Sequence, residues 1–252
     1  MTSRNNGAPR GITFQPDIYP KVLSLLPKST LRILDVGAGR GRFARLAADA
    51  GHRVEACDFQ PDLYELPTTG SGAIPFHRAD LNERIPFGDG EFDCCVSIEV
   101  IEHIEHHPRF IREMARVTKP GGLIVITTPN VLSITSRLHF LLYGYDDCAP
   151  MPLNPARKDY FMQHINPIAL PRLLFLLEHA GAPLIDLTTN RQRRSAVPLA
   201  VLLYPILALA LRAKHSRRKY RHLRPILETH RRWALSWASL TGRIMIAVAK
   251  KS

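Results

Sequence analysis

The sequence predicts an α/β fold in which helices alternate with the strands of a buried central sheet. Three observations support this prediction. Short apolar runs rich in β-branched residues alternate with segments whose apolar residues have helical spacing. Acidic residues stand at the ends of successive apolar runs. A glycine-rich turn follows the first run, which is where such folds hold a nucleotide-like cofactor.

Seven segments have the composition and length of strands. They are Thr30–Val36, Arg53–Asp58, Ile74–His77, Phe92–Ile98, Leu123–Thr128, Pro183–Asn190 and Gly242–Lys250. A helix is expected from Pro108 to Val117, where the apolar residues have helical spacing, and it stops at the turn Lys119-Pro-Gly-Gly122. A second helix is expected from Pro167 to Ala180.

The first turn has the glycine spacing of a cofactor site without a pyrophosphate. Gly37, Gly39 and Gly41 fall at G-x-G-x-G, whereas a dinucleotide site needs a third glycine where Arg42 stands. Asp35 also puts a carboxylate at the strand end, which would repel phosphates but would suit a cation or an amine. The pattern therefore favours a cofactor that carries no phosphate.

Two further acids follow the next two strands. Asp58 lies 17 residues after Gly41, which is about the spacing at which such folds place a carboxylate against ribose hydroxyls. Asp80 stands where the third strand would end. A helix cap or a solvated loop explains each acid alone. Acids at three successive strand ends favour a shared ligand.

The pattern D-x-G-x-G-x-G, with the later strand ends and the Lys119-Pro-Gly-Gly122 turn, resembles the class I S-adenosylmethionine-dependent methyltransferases. The resemblance covers residues 30–130, and more weakly 165–190 and 242–250. The stretch Glu99–Ile104 is most similar to small-molecule O-methyltransferases of the ubiquinone-biosynthesis type. The resemblance implies a Rossmann-like, seven-stranded, mostly parallel sheet with helices on both faces. Its last strand would run antiparallel between the fifth and the sixth.

The resemblance also implies S-adenosylmethionine as the cofactor and names its site. The implied cofactor-binding residues are Asp35, Gly37, Ala38, Gly39, Gly41, Asp58, Phe59, Asp80, Leu81 and Ile98. In such enzymes the glycine loop runs past the methionine part, and Asp58 would bind the ribose. Phe59 and Asp80 would contact the adenine, while the fourth strand end faces the reactive methyl group.

An oxygen or nitrogen acceptor loses a proton on methylation, so a general base is useful. His103 is the first candidate, His164 the second, and Glu99 joins them as a catalytic residue. In an alternative, Glu99, Glu102 and His103 hold a divalent metal that polarises a catechol-like acceptor. No metal is assigned, and a hydrogen-bonded structural histidine is the simpler interpretation. His106 and His107 are expected to be solvated.

Length and composition fit a single domain over residues 1–252. Residues 30–190 and 242–250 would form its core, 129–165 a lid over the acceptor, and 191–241 a helical insertion between the sixth and seventh strands. The four cysteines, Cys57, Cys94, Cys95 and Cys148, show no C-x-x-C pair. Reduced thiols, and a polar Met1–Pro9 without a signal-peptide core, favour a cytoplasmic protein.

The charge is concentrated in the insertion and the last strand. Residues 191–252 carry 15 Lys and Arg and one acid, so they hold a net +14 against −2 for residues 1–190. Arginines flank the apolar run from Ala196 to Leu211, whose 16 residues would span about 24 Å as a helix. Pro198 and Pro205 should kink it. We expect an element that lies in one leaflet at the inner face of the membrane, with its arginines on anionic headgroups. The alternative is a buried helix that caps the substrate pocket.

The sequence therefore predicts methyl transfer to a small, hydrophobic or lipid-linked acceptor at a membrane surface. Residues 191–224 would make the contact with the membrane. Two alternatives stay open: an RNA methyltransferase guided by the basic insertion, and a non-catalytic, cofactor-binding module for membrane contact or complex assembly. Nucleic acid is less favoured, because the basic stretch offers mainly Tyr220 for base stacking.

Overall fold

The computed structural model describes residues 17–146, 153–156 and 162–252. Met1–Pro9, Cys148 and the parts of the expected lid at 147–152 and 157–161 lie outside the described residues.

The strands form one sheet of the predicted Rossmann-like kind. They are β1 (Arg32–Val36), β2 (Arg53–Asp58), β3 (Phe76–Arg78), β4 (Phe92–Ile98), β5 (Thr118–Pro129), β6 (Leu184–Thr189) and β7 (Ile244–Lys250). Their order is β3-β2-β1-β4-β5-β7-β6, and β7 pairs antiparallel with both β5 and β6. The fold class and the placement of the last strand are confirmed.

Eight helices are found in the described residues. They are α1 (Ile18–Leu23), α2 (Arg42–Asp49), α3 (His107–Val117), α4 (Ile134–Tyr143), α5 (Leu170–His179), α6 (Ala196–His215), α7 (Arg224–Ala234) and α8 (Trp237–Thr241). The turn expected at Lys119-Pro-Gly-Gly122 lies inside β5 instead, where the pairing with β4 shifts register. Backbone bonding to the chain end explains this, since Gly121 N–H donates to Lys251 O at 2.9 Å.

Alternating strand residues fill two separate apolar cores, one on each face of the sheet. Leu34 and Val36 of β1 pack on one side with α3 and α5, whereas Ile33 packs on the other with α1 and α2. This period of two within continuously apolar strands is typical of a parallel sheet covered on both faces. Because both faces are covered, the carboxyl ends of the strands are left as the place for a site.

Helix α6 is longer than the 16-residue apolar run of the sequence, and most of its surface is exposed. It runs for 20 residues without a break, with Pro198 in its first turn, where a missing N–H is tolerated, and Pro205 inside it. Of its side chains only Ala196 and Ala200 are buried, and none lines the cavity at the carboxyl ends of β1 to β4. The alternative of a buried helix that caps the substrate pocket is therefore wrong. By length and composition alone, α6 is apolar enough to cross a membrane.

Asn130 fastens the insertion to the end of β5. Its buried side-chain amide donates to the carbonyl oxygens of Ala238, Ser239 and Gly242 at 3.1, 2.9 and 2.9 Å. The turn before α4 and the helices of the insertion are thus held together by one side chain.

Candidate active site

The loops that follow β1, β2, β3 and β4 enclose a cavity of about 330 Å³. It lies at the carboxyl ends of the strands, where open α/β sheets bind their ligands. Eight residues predicted for the site line it: Gly37, Gly39, Asp58, Phe59, Asp80, Leu81, Glu99 and His103. The structure therefore brings together residues from four strand ends that the sequence had singled out separately.

The glycine loop lies against the loop that follows β4. Gly37 has a positive φ of 78°, and a Cβ atom placed on it would lie 2.3 Å from Val100 Cγ2. Such a distance is far inside van der Waals contact, so only glycine fits between the two loops. The close approach brings the backbone of the loop to the wall of the cavity.

The Asp58 carboxylate joins the loop after β2 to the glycine loop. Its Oδ2 accepts from Gly39 N–H at 2.8 Å, and its Oδ1 accepts from Gln60 N–H at 3.0 Å. Each carboxylate oxygen has a second lone pair, so Asp58 can accept from ligand hydroxyls as well. The residue can therefore orient the loop and bind a ligand at the same time.

Four of the predicted cofactor residues do not line the cavity. They are Asp35, Ala38, Gly41 and Ile98. Ala38 and Ile98 pack partly buried against the apolar core beneath the loop. Gly41 precedes α2 and would meet the side chains of Tyr64 and Leu66 if it carried a Cβ atom. The placement of these four residues therefore does not favour direct contact with a cofactor.

Asp35 is turned away from the cavity toward α2. Its side chain is 2% exposed, and Oδ2 accepts from Ala44 N–H at 3.1 Å. Burial raises the pKa of this carboxyl to about 7; the Ala44 bond opposes the shift and the Asp58 charge adds to it. The residue holds the first turn of α2 beneath the glycine loop.

The charge of the lining matches a cationic ligand. Four carboxylates line the cavity, those of Asp58, Asp80, Glu99 and Glu105, while its described lining contains no Lys or Arg. A diphosphate would be repelled by this lining, whereas a sulfonium or an ammonium group would be attracted. Among these residues the S-adenosylmethionine predicted from sequence fits, and a dinucleotide does not.

Glu99 has a strained backbone at the end of β4. It is the one non-glycine residue of the described chain with positive φ, 55°. Thr127 of β5 holds it there, since its Oγ1 accepts from Glu99 N–H at 3.0 Å and donates to Glu99 Oε1 at 3.1 Å. Burial raises the pKa of the Glu99 carboxyl to about 7. Strain maintained by a neighbouring strand is typical of functional sites.

Glu102, His103 and His164 form a cluster beside Glu99. One potential ligand atom from each lies within 4.8 Å of the others. Glu102 is fully buried, its Oε2 accepts from Thr128 Oγ1 at 3.2 Å, and its Oε1 lies 4.0 Å from His164 Nε2. Burial, with repulsion from Glu99, raises the pKa of Glu102 well above its usual range. The arrangement can relay a proton or hold a divalent cation.

The cluster differs from the alternative metal set of the sequence analysis. Glu99 was expected beside Glu102 and His103, but its Oε1 bonds Thr127. His164 takes that place, and the folding of the lid region brings it close. The two histidine rings meet edge to face with centroids 5.0 Å apart.

The orientation of His103 follows from a backbone carbonyl. Its Nδ1 lies 2.9 Å from Gln163 O, and a carbonyl can only accept, so Nδ1 carries the proton in the neutral ring. Nε2 is then the nitrogen that can accept a proton. His103 lines the cavity, so the residue has the tautomer that a general base requires.

The expectation that His106 and His107 are both solvated is wrong for His107. It is fully buried at the start of α3, and its Nε2 lies 2.8 Å from Ile101 O. Burial lowers the pKa of His107, so it acts as a neutral structural residue. His106 is exposed, as predicted.

Sequence reasoning missed part of the lining, namely Gln60, Leu63, Asn82, Val100, Ile104, Glu105 and Met162. Asn82 shows why it matters, since its Oδ1 accepts from the N–H groups of Glu105 and His106 at 2.8 and 3.2 Å. It thereby joins the loops after β3 and β4. Only its adjacency to Asp80 and Leu81 could have pointed to it.

Comparison with known sequences agrees with this geometry. The family described as "Methyltransferase domain" matches residues 34–126. An uncharacterized methyltransferase of Mycobacterium leprae is 41% identical over 99 residues, which are 38% of this chain and 36% of that protein. A malonyl-[acyl-carrier protein] O-methyltransferase of Erwinia pyrifoliae is 34% identical over 102 residues, 40% of this chain and 38% of that protein. The chain thus spans little more than a third of the length of these relatives.

A longer match joins the chain to a probable S-adenosylmethionine-dependent methyltransferase of Mycolicibacterium smegmatis. It is 30% identical over 158 residues, which are 61% of this chain and 52% of that protein. The subgroup of ubiquinone-biosynthesis type stays a prediction, since these relatives do not bear on it.

Solved structures share the whole fold at low identity. An S-adenosylmethionine-dependent methyltransferase from Mesorhizobium loti superposes with a TM-score of 0.57 and 16% identity, covering 93% of this chain and 98% of that one. A Burkholderia thailandensis N1-methyltransferase, solved with S-adenosylhomocysteine bound, superposes with a TM-score of 0.54 and 15% identity. The match covers 93% of this chain and 76% of that one. The match of residues 34–126 to a methyltransferase domain, the cavity and the fold together support a class I S-adenosylmethionine-dependent methyltransferase domain in this chain, with S-adenosylmethionine as its cofactor.

Proposed function

We propose that the protein transfers a methyl group from S-adenosylmethionine to a small, hydrophobic or lipid-linked acceptor at the inner face of the cytoplasmic membrane. The observation that supports this most is one cavity that combines the glycine loop, four carboxylates and the His103 ring. When bound, the cofactor supplies an activated, positively charged methyl donor. The residues that would hold it are the backbone at Gly37 and Gly39, with Asp58 and Asp80.

The residues after β4 would act on the acceptor. His103, with its proton on Nδ1 held by Gln163 O, can take the acceptor proton on Nε2. Glu102 and His164 lie close enough to His103 to relay that proton onward. Alignment of the acceptor contributes further, and proximity is worth roughly 7–11 kcal/mol at its upper limit.

An apolar part of the same wall supports a hydrophobic acceptor. Val100, Ile104 and Met162 lie next to His103 in the lining, and α4, in the expected lid region, exposes several apolar side chains. The malonyl-[acyl-carrier protein] O-methyltransferases among the relatives act, by their name, on a small group carried by a protein. They support a small acceptor for this chain too.

The proposal is tested by incubating the protein with methyl-labelled S-adenosylmethionine and, separately, with total lipid, small-metabolite and RNA fractions. Label is expected in the lipid or small-metabolite fraction. Label in RNA alone would establish the RNA alternative in its place. If calorimetry shows that S-adenosylmethionine binds but no fraction becomes labelled, the protein would be the non-catalytic module.

A further inference from the structure

Two neighbouring helices expose an unusually apolar outer surface, which we call the α4/α6 surface. Helix α4 packs against α6. The exposed apolar side chains of the two helices are Leu138, Phe140, Leu141, Leu142, Tyr143, Val201, Leu202, Tyr204, Ile206 and Leu209. Leu141 is 79% exposed, and Leu202 and Leu209 are each 68% exposed. Large apolar patches of this kind mark sites of protein or membrane interaction.

The inner face of α6 already satisfies the packing of the domain. Leu199, Leu203 and Leu207 pack on a small core that contains Ile134 and Leu240. The outer face is nevertheless apolar as well. A helix that is apolar all round is either enclosed by protein or in contact with lipid, and α6 is not enclosed by any described part of this chain. The apolar outer face is therefore left for a partner other than the described part of this chain to cover.

Basic residues flank this apolar surface. Arg193 and Arg194 precede α6, and Arg193 Nη1 bonds Thr135 Oγ1 of α4 at 3.1 Å. Seven Lys and Arg lie between residues 212 and 224. At the carboxyl end of α6, Arg212, Arg224 and Arg231 line an open cavity of about 620 Å³ together with His215 and the single acid Glu228. The apolar surface thus adjoins a cavity that suits a phosphate group.

We propose that the α4/α6 surface docks on an anionic lipid bilayer, with α6 lying along the interface and a lipid phosphate in the basic cavity. This docking does not rest on the proposed methyl transfer. A second copy of the chain fits poorly, because the net +14 of residues 191–252 would face itself. RNA fits poorly too, because aliphatic side chains dominate the surface and offer few platforms for base stacking.

A position in the interface fits α6 better than a span across the bilayer. Its 20 residues would just reach across the hydrocarbon core, which is about 30 Å thick. Its inner face, however, stays packed on the domain, and arginines stand at both of its ends. In the interface, both groups of arginines reach the headgroups of one leaflet.

One helix of the docking surface is joined along the chain to the catalytic side of the cavity. Helix α4 follows Pro129 of β5 after four residues, and Thr127 and Thr128 of that strand bond Glu99 and Glu102. The surface that enters the lipid is therefore continuous in the chain with the strand end at the active site.

Co-sedimentation of the full chain with vesicles tests the docking without cofactor. We expect binding to vesicles of phosphatidylcholine with phosphatidylglycerol, and little to phosphatidylcholine alone. Replacing Arg212 and Arg224 by Ala should lower the partition coefficient roughly thirtyfold, the change expected for two basic residues at an anionic surface. The matched control replaces the exposed Arg53 and Arg112 by Ala and should retain binding. Equal losses of vesicle binding in both double variants would show that the basic cavity does not bind a lipid phosphate.

A second measurement tests insertion of the apolar surface. Compared with the wild type, whose own fluorescence comes from Trp233 and Trp237, Leu202→Trp should show additional quenching by brominated acyl chains, whereas Phe175→Trp, at a 65% exposed position on α5, should show none. Leu202→Glu with Leu141→Glu should abolish sedimentation, and Phe175→Glu should leave it intact. Since all three positions are exposed, these variants should fold, which circular dichroism checks. No quenching at 202, binding only to RNA, or a protein that dimerises instead of binding vesicles would each overturn the proposal.

Discussion

The carboxylate of Asp58 accepts a 2.8 Å hydrogen bond from the backbone N–H of Gly39. The two residues lie on neighbouring strand ends, 19 positions apart in the chain. Since the other carboxylate oxygen accepts from Gln60 N–H at 3.0 Å, Asp58 fixes both loops at the cavity wall. The acid predicted to bind a ligand is thus also a structural part of the glycine loop.

Asp58→Asn should weaken binding of S-adenosylmethionine by roughly ten- to hundredfold. The amide removes a charge-assisted acceptor and turns an NH₂ group toward a backbone N–H, and hydrogen bonds to charged groups are worth about 1.5–3 kcal/mol. Isothermal calorimetry measures the change. Asp62→Asn removes the same charge from an exposed neighbour outside the lining and should bind as the wild type does. Equal affinity in both variants would remove Asp58 from the site.

Asp35 makes the free protein less stable as the pH rises. Its pKa is about 7 in the folded protein, against the usual 3.8 of a solvated aspartate, so between pH 4 and 7 the folded state keeps a proton that the unfolded state releases. The contribution of Asp35 to the unfolding free energy therefore falls across this window and is lowest above pH 7. Asp35→Asn keeps an oxygen for Ala44 N–H and cannot titrate. It should be about 2–4 kcal/mol more stable than the wild type at pH 8, with little difference near pH 4.

Urea unfolding of both proteins between pH 4 and 8 measures this difference. Comparing the two chains at each pH cancels the titration of every other group that is common to both. A constant difference across the window would show that Asp35 is ionised in the folded state.

The sequence predicted what depends on local pattern, and missed what depends on folding. Glycine spacing and acids at strand ends pointed to Gly37, Gly39, Asp58 and Asp80, and the family resemblance added Phe59 and Leu81; all six line the cavity, as do Glu99 and His103. The turn of Asp35 toward Ala44 could not be predicted, because both orientations share one sequence pattern. His164 lies far from Glu102 in the chain, so their approach depends on the lid. The apolar character of α6 alone suits a core and a membrane equally, and only the arginines at its ends favoured the exposed position that the structure shows.

His103→Gln should lower kcat by about 10²–10⁴-fold while the Kd for S-adenosylmethionine changes little. A proton acceptor is lost, but the residues that hold the cofactor are retained, and general base catalysis contributes about this factor. Turnover with the labelled acceptor fraction and calorimetry give the two quantities. His106→Gln changes an exposed histidine three positions away and should keep full turnover. A change in Kd alone would make His103 a binding residue.

Chelation distinguishes a proton relay from a metal at Glu102, His103 and His164. We expect the wild type to retain its activity after dialysis against EDTA, because the His103 tautomer already allows it to act as a base. Metal analysis of the purified protein accompanies the assay. Lost activity that returns with Mg²⁺ or Zn²⁺ in the wild type, but not in His164→Ala, would identify the cluster as a metal site.

Gly37→Ala should disrupt the contact between the glycine loop and the loop after β4. The new methyl group would lie 2.3 Å from Val100 Cγ2, in addition to the strain of a positive φ. Gly51→Ala is the matched control, since Gly51 has φ 91° and nothing within 4 Å of its Cβ position. The control should lose about 1 kcal/mol of unfolding free energy through backbone strain alone. Gly37→Ala should lose clearly more and should also weaken cofactor binding.

The double variant Gly37→Ala, Val100→Ala isolates the steric part. Removing the two Val100 methyl groups removes the contacts of 2.3 and 2.9 Å and leaves only Val100 Cβ at 3.2 Å. The double variant should therefore recover much of the stability lost by Gly37→Ala and keep the backbone strain that Gly51→Ala also shows. Chemical unfolding of the wild type, Gly37→Ala, Val100→Ala and the double variant completes the double-mutant cycle. Additive losses would mean that the two loops separate freely, and the close packing that places the glycine loop at the cavity wall would then be wrong.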